Sequence, residues 1–146
     1  MAAPDLSDDD IRRILARTRT IAVVGWSPKP DRPSHRVAAF LKAKGFRVIP
    51  VNPGQAGQEA LGEVVRASLE ALGAEIGGEV DMVDIFRRSE EAGAVVDEAL
   101  AHLPGVKTVW MQLGVVDAAA AARAQAAGVE VVMDRCPAIE MPRLGM

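Results

Sequence analysis

The sequence predicts an α/β fold in which a parallel sheet of about five strands carries helices on both faces. Short β-branched runs alternate along the chain with segments of helical periodicity. Several of these runs are apolar without alternation, which is typical of strands buried on both faces. The 146 residues, of which 49% are hydrophobic, suffice for one core. We therefore expect a single domain over residues 1–146.

The first half of the chain predicts a helix followed by two strands with a helix between them. Ser7 is placed to cap the first helix, and residues 20–25 predict a buried strand. Ser34 is placed to cap the second helix, which Gly45 ends. Residues 46–51 predict the second strand.

The rest of the chain predicts one short strand in a weakly patterned segment and then three further strands that alternate with helices. Residues 55–78 have the weakest pattern, with a short strand over 61–65 and a helical turn over 68–72. The remaining predicted elements are a strand over 80–86, a helix over 90–102 capped by Ser89, a strand over 106–112, a helix capped by Asp117 and ended by Gly128, a strand over 129–133, and a short helix within 136–143. With right-handed crossovers, this order predicts a three-layer Rossmann-like fold.

Composition excludes several classes of function. The chain has 17 Lys+Arg, 20 Asp+Glu and a formal charge of -3, so we expect no nucleic-acid partner. No apolar run approaches the roughly 20 residues that span a bilayer, so we expect no membrane partner. The acidic N-terminus lacks an apolar segment, which predicts no signal peptide and a cytoplasmic protein. A single cysteine, Cys136, excludes an intramolecular disulfide and a CxxC metal site.

Cationic residues follow two of the predicted strands. Lys29 and Arg32 follow the first strand, and Arg87 and Arg88 follow the strand over 80–86. Because the carboxyl ends of parallel strands share one edge, we expect these side chains to gather there. Cations and the free amides of helix N-termini are what a phosphate-rich ligand requires.

Two familiar nucleotide-binding motifs are missing. Only Gly25 fits the G-x-G-x-x-G fingerprint of dinucleotide sites, and Asn52 stands where that fingerprint expects an acidic residue. No GK[ST] of a phosphate-binding P-loop occurs. A redox-sensing domain of the NAD type is therefore the least favoured alternative.

Five segments in order carry a resemblance to a known family: AVVGWSPKP (22–30), VIPVNP (48–53), VDIFRR (83–88), VWMQLG (109–114) and VMDRCP (132–137). They resemble the small bacterial and archaeal CoA-binding-domain proteins, which are similar to the N-terminal CoA-binding domain of the succinyl-CoA synthetase α subunit. The resemblance spans nearly the whole chain. It implies coenzyme A or an acyl-CoA as the ligand.

The resemblance also implies the residues of the site. The nucleotide phosphates lie over the turn 25–27 with Lys29 and Arg32 nearby, the segments 51–53 and 86–88 flank the nucleotide, and the segment 112–114 lies towards the pantetheine. The implied ligand-binding residues are Gly25, Trp26, Ser27, Lys29, Arg32, Val51, Asn52, Pro53, Phe86, Arg87, Arg88, Gln112, Leu113 and Gly114. No metal ligand and no catalytic residue is implied.

The sequence departs from the synthetase in two respects. The synthetase has a lysine shortly after the proline that ends the second strand, where this chain has Gln55. We also expect the domain with the phosphorylated histidine to be absent, because the chain ends at Met146. The resemblance therefore implies ligand binding and does not extend to ligase activity.

Several alternatives stay open at this point. A module that binds CoA without catalysis is favoured over an enzyme that handles acyl-CoA through Asp134, Cys136 or His35, because the sequence shows no set of nucleophile, base and orienting group. Cys136 is either a buried apolar residue or a thiol whose pKa Arg135 lowers. Trp26 either covers the ligand or packs on the next helix. A protein partner or a homo-oligomer stays possible, with no partner identified.

Overall fold

A computed structural model describes residues 6–146 of the chain. Within this range it has six α-helices, seven strands and a short 3-10 turn at Pro53–Gln55. In chain order these are α1 (Asp8–Arg17), β1 (Thr20–Val24), α2 (Pro33–Ala43), β2 (Arg47–Val51), β3 (Glu59–Ala60), β4 (Glu63–Val64), α3 (Leu69–Ile76), β5 (Met82–Ile85), α4 (Ser89–His102), β6 (Thr108–Met111), α5 (Ala118–Ala126), β7 (Glu130–Val132) and α6 (Pro137–Arg143).

Five strands form one parallel sheet in the order β2-β1-β5-β6-β7, while β3 and β4 form a small antiparallel hairpin. In the large sheet, Ile21 of β1 lies opposite Val48 on one side and Met82 on the other. The chain winds outwards in one direction from β1 and in the opposite direction from β5. The carboxyl ends of β1 and β5 therefore border the point where a doubly wound sheet opens a crevice.

The helices cover both faces of the sheet, which confirms the predicted three-layer Rossmann-like fold. Helices α1, α2 and α6 pack on one face, and α3, α4 and α5 pack on the other. Successive residues of a strand point to opposite faces, so Ile21 and Val23 of β1 enter the first core while Ala22 and Val24 enter the second. Trp110 and Met111 of β6 are fully buried, as predicted.

Three of the helix starts have side-chain caps. Ser7 caps α1 in a capping box with Asp10, Ser68 caps α3, and Asp117 caps α5. The caps at Ser7 and Asp117 confirm the prediction from sequence. The helix after Ser68 is longer than the single predicted turn.

The two other predicted caps are wrong. Helices α2 and α4 begin at Pro33 and Ser89, and neither has a side-chain cap. The hydroxyl of Ser34 instead accepts a hydrogen bond from the amide of Ser27 at 3.0 Å. The Ser89 hydroxyl donates to the carbonyl of Gly114 and accepts from the amide of Val116. Both serines thus hold loops that are distant in sequence instead of their own helices.

The strands also differ in extent from their predictions. Each large-sheet strand is shorter at one or both ends, and the predicted strand over 61–65 is replaced by the β3–β4 hairpin. No helix between residues 6 and 146 is both long and apolar enough to cross a membrane. The prediction about the N-terminus concerns in part residues 1–5, which lie outside the described residues.

Candidate functional site

A cleft of about 820 Å³ opens at the carboxyl ends of β1, β5 and β6. Its volume falls within the roughly 300–1,000 Å³ that is typical of small-molecule sites. The lining residues come from the loops after these strands, from α2 and from the start of α6. They are Gly25, Ser27, Lys29, Arg32, Pro33, Ser34, Arg36, Val37, Phe86, Arg87, Arg88, Gln112, Leu113, Gly114, Val115, Cys136 and Ile139.

The cleft is cationic although the whole chain is acidic. Five lysine or arginine residues line it, and the described residues of its lining include no aspartate or glutamate. Lys29, Arg32, Arg87 and Arg88 were expected together at this edge, and the fold brings them together. Arg36 completes the set. It follows Arg32 by four residues, so helical spacing could have shown that both face the same side.

The cations differ in their ion pairs. Arg87 Nε lies 3.2 Å from Glu91 Oε2, and Arg88 Nη2 lies 3.2 Å from Glu91 Oε1. These pairs replace the structural pairing with Asp84 or Asp134 that the sequence left open. Exposed pairs of this kind contribute about 0.2–1 kcal/mol, so both arginines can exchange them for another anion at low cost. Within residues 6–146, no salt bridge involves Lys29, Arg32 or Arg36.

The loop after β1 is held by contacts from three directions. Asn52 Nδ2 donates to the carbonyl of Trp26 at 2.7 Å, and the Ser34 hydroxyl binds the amide of Ser27. The amide of Lys29 donates to the Ser27 hydroxyl at 3.2 Å. His35 Nδ1 lies 3.0 Å from the carbonyl of Ser27. The loop therefore has a defined shape at the floor of the cleft.

Trp26 packs on the next helix and does not cover the cleft, which decides between the two positions that the sequence left open. Its side chain is buried, and its ring stacks on that of His35 with centroids 5.8 Å apart. It does not line the cleft. Three other predicted site residues also lie outside the lining: Val51 is buried in the core, Asn52 braces the loop, and Pro53 begins the short 3-10 turn. All the remaining predicted residues line the cleft.

Gly25 is required by the packing of the protein itself. Its φ is +87°, and a Cβ atom there would lie 2.3 Å from the carbonyl oxygen of Phe86. Only glycine therefore lets the loop after β1 pass the end of β5. The sequence favoured close approach of a phosphate as the reason for this glycine, and the backbone contact explains the residue without it.

The candidate catalytic residues have structural contacts. Asp134 Oδ1 accepts a hydrogen bond from the amide of Gly114 at 2.7 Å, and His35 contacts the loop and Trp26. Cys136 precedes the first turn of α6, as predicted, and is buried. Burial raises the pKa of its thiol. The possibility that Arg135 lowers this pKa is wrong, because Arg135 pairs with Glu140 instead.

One buried carboxyl group has no hydrogen-bond partner. Asp84 lies in the middle of β5, is fully buried, and neither of its side-chain oxygens is hydrogen-bonded. Burial raises the pKa of Asp84 well above 3.8, which favours the neutral acid. Between residues 6 and 146, no cluster of three His, Cys, Asp or Glu side chains is arranged to hold a metal ion.

Several solved structures superpose on this chain over most of its length. A protein of Thermus thermophilus, cell-free ID.343, superposes with a TM-score of 0.84 at 37% identity, covering 95% of this chain and 99% of that one. A hypothetical protein of Pyrococcus horikoshii OT3 superposes with a TM-score of 0.85 at 34% identity over 100% of both chains. A dinucleotide-forming acetyl-coenzyme A synthetase of Ca. Korarchaeum cryptofilum shares the fold at 23% identity and a TM-score of 0.64, over 84% of this chain and 27% of its own.

Sequence comparison agrees with the structural likeness. The uncharacterized protein YneT of Bacillus subtilis (strain 168) is 40% identical over 130 residues, which cover 89% of this chain and 90% of that protein. The model of the CoA binding domain family matches residues 19–142. This range contains every strand of the sheet and every residue of the cleft. The chain belongs to the CoA binding domain family.

Proposed function

We propose that this protein binds coenzyme A or an acyl-CoA in the cleft at the carboxyl ends of β1, β5 and β6 and catalyses no reaction there. The cationic lining carries the proposal: among residues 6–146, five cations and no carboxylate line this cleft of an acidic chain. Coenzyme A has a pyrophosphate and a 3′-phosphate, which are the anions such a lining would bind. Family membership supports this ligand class.

The helix starts at the cleft add further donors. Helices α2 and α4 begin beside Arg32 and Arg88 without side-chain caps. Pro33 has no N–H, and the amides of His35 and Glu91 donate to the carbonyls of Arg32 and Arg88, so the first-turn amides left to bind an anion are those of Ser34, Ser89 and Glu90. The positive end of each helix dipole favours negative charge at the same place. We expect the phosphates between these two helix starts, within reach of Lys29, Arg36 and Arg87.

The lining contains apolar as well as cationic residues, as the proposed ligand has apolar as well as charged parts. Leu113 and Val115 follow β6 and Ile139 lies on α6, whereas the cations lie on α2 or in the loops after β1 and β5. The three apolar side chains suit the less polar pantetheine arm. Gln112 also lies in the lining, and its buried Oε1 has no hydrogen-bond partner. An amide N–H of the pantetheine is a donor that this oxygen would accept.

Titration calorimetry with CoA, dephospho-CoA and NAD tests the proposal. We expect CoA to bind, and both dephospho-CoA and NAD to bind more weakly. Arg87→Ala and Arg88→Ala should each weaken CoA binding about tenfold, the scale of one charge-assisted hydrogen bond. Arg12→Ala is the matched control, because Arg12 forms an exposed pair with Asp9 on α1 and should leave the affinity unchanged. Absence of CoA binding, or equal affinity for NAD, contradicts the proposal.

A further inference from the structure

We infer that the cationic cleft continues into an apolar subsite at Leu113, Val116 and Ile139, which binds the uncharged acyl group of an acyl-CoA. The inference deepens the proposed function and rests on it. It names the class of ligand: thioesters of CoA with an apolar acyl chain, in preference to free CoA and to thioesters that end in a carboxylate.

The exposed apolar residues of the protein are concentrated at one place. Among residues 6–146, the large hydrophobic side chains that are exposed are Val64, Leu113, Val116 and Ile139. Leu113 and Ile139 line the cleft, and Val116 lines a neighbouring cleft together with them. These three side chains are 48–56% exposed. Grouped apolar surface beside a binding cleft is typical of a recognition site, since covering it removes it from water.

The apolar residues line a second cleft of about 490 Å³ that adjoins the first. Leu113, Cys136 and Ile139 line both clefts, whereas Val116 and Met133 line only the second. The cations lie in the first cleft, away from Val116 and Met133. The two clefts meet at Leu113, Cys136 and Ile139, which we call the junction. A ligand with its phosphates at the cations and its pantetheine along Gln112 would bring its sulfur to the junction. A group attached to that sulfur would then enter the second cleft.

The charged residues of the second cleft are already paired within the protein. Asp134 binds the amide of Gly114, and Arg135 binds Glu140, which also accepts a hydrogen bond from Arg143 at 3.1 Å. Arg135, the only cation of this lining among the residues that the structure describes, is thus committed to a carboxylate that is itself mostly buried. A terminal carboxylate on the acyl chain would find no free cation, so the surface left for contact is apolar.

The junction is suited to hold a thioester without cleaving it. Cys136 is the nucleophilic side chain there, it is buried, and burial raises the pKa of its thiol. A protonated thiol is a poor nucleophile. The acyl group would consequently be bound and retained.

Calorimetry with CoA and with acetyl-, butyryl-, hexanoyl- and succinyl-CoA tests the subsite. An open patch buries about half of each methylene, so the dissociation constant should fall about twofold per added CH₂ from acetyl- to hexanoyl-CoA. Succinyl-CoA should bind more weakly than butyryl-CoA. Val116→Ser should flatten the dependence on chain length and leave the affinity for CoA within twofold. Val64→Ser, the same change at the exposed apolar residue of the β3–β4 hairpin, should leave both unchanged.

The possible failures are distinguishable. If CoA binds and chain length has no effect, or if succinyl-CoA binds more tightly than butyryl-CoA, the subsite is disproved and the proposed function stands. If neither CoA nor any acyl-CoA binds, both fall. Sedimentation provides the last check: a dimer that Val116→Ser dissociates would show that a second copy covers the patch, which overturns the acyl subsite.

Discussion

Replacing the buried carboxyl group of Asp84 should change how stability depends on pH. Asp84 lies in β5 between Val23 of β1 and Trp110 of β6, fully buried and without a hydrogen-bond partner. Asp84→Asn preserves the shape of the side chain and removes its charge. Both side chains leave polar atoms unpaired in the same place, so the difference between the two proteins isolates the ionisation of this group.

The sign of the effect follows from the direction of the pKa shift. In the unfolded chain this carboxyl group ionises near pH 3.8, whereas burial raises the pKa of Asp84 well above that value in the folded protein. Between these two pKa values the folded state binds more protons than the unfolded state, so the free energy of unfolding decreases as pH rises. The slope is at most about 1.4 kcal/mol per pH unit. The asparagine variant lacks this loss.

Urea unfolding at pH 4, 5, 6 and 7 measures the difference, followed by the fluorescence of the buried Trp26 and Trp110. We expect Asp84→Asn to match the original protein at pH 4 and to gain up to about 1.4 kcal/mol per pH unit above it, until the folded pKa is reached. Asp31→Asn, at an exposed carboxyl group, is the control and should show no such gain. A gain that is constant across this pH range would refute the reasoning.

Two further predictions concern the lining of the cleft. Gly25→Ala should lower the free energy of unfolding in urea by roughly 2 kcal/mol more than Gly45→Ala, because only at Gly25 would the added Cβ meet a backbone atom, the Phe86 carbonyl oxygen. Gly45 lies outside the cleft and is the comparison: it also has a positive φ, but in open space, so its replacement should cost about 1–2 kcal/mol. Equal costs would contradict the assigned role of that contact. Cys136 should react with iodoacetamide at pH 8 at least about tenfold more slowly in the folded than in the urea-unfolded protein, because its thiol is buried and has a raised pKa. Mass spectrometry measures both rates, and comparable rates would show that the thiol is accessible in the folded protein.

The strands were predictable because their signal is local. Uninterrupted apolar runs indicated burial on both faces, and the sheet has those strands. Caps were predictable where the side chain turns back on its own helix, as Ser7 and Asp117 do. They were not predictable at Ser34 and Ser89, because those hydroxyls bind loop groups that only the folded chain brings near.

The candidate site was predictable to the extent that topology determines it. Parallel strands bring their carboxyl ends to one edge, which is why Lys29 and Arg87 were expected near each other and line the same cleft. Packing decided the rest. Nothing in the sequence shows that Trp26 turns away onto His35, or that Asp84, a conspicuous polar residue in an apolar run, has no partner.

The strand order also determines when the cleft can form during folding. Its main walls follow β1 and β5, which pair through contacts such as Ile21 with Met82, far apart along the chain. The segment 25–37 supplies nearly half of the lining, but bringing it beside the loops after β5 and β6 requires long-range pairing of parallel strands, which costs loop-closure entropy before contacts form. A ligand that contacts these loops together requires β1, β5 and β6 to be paired, so occupancy of the cleft reports that the centre of the sheet is complete.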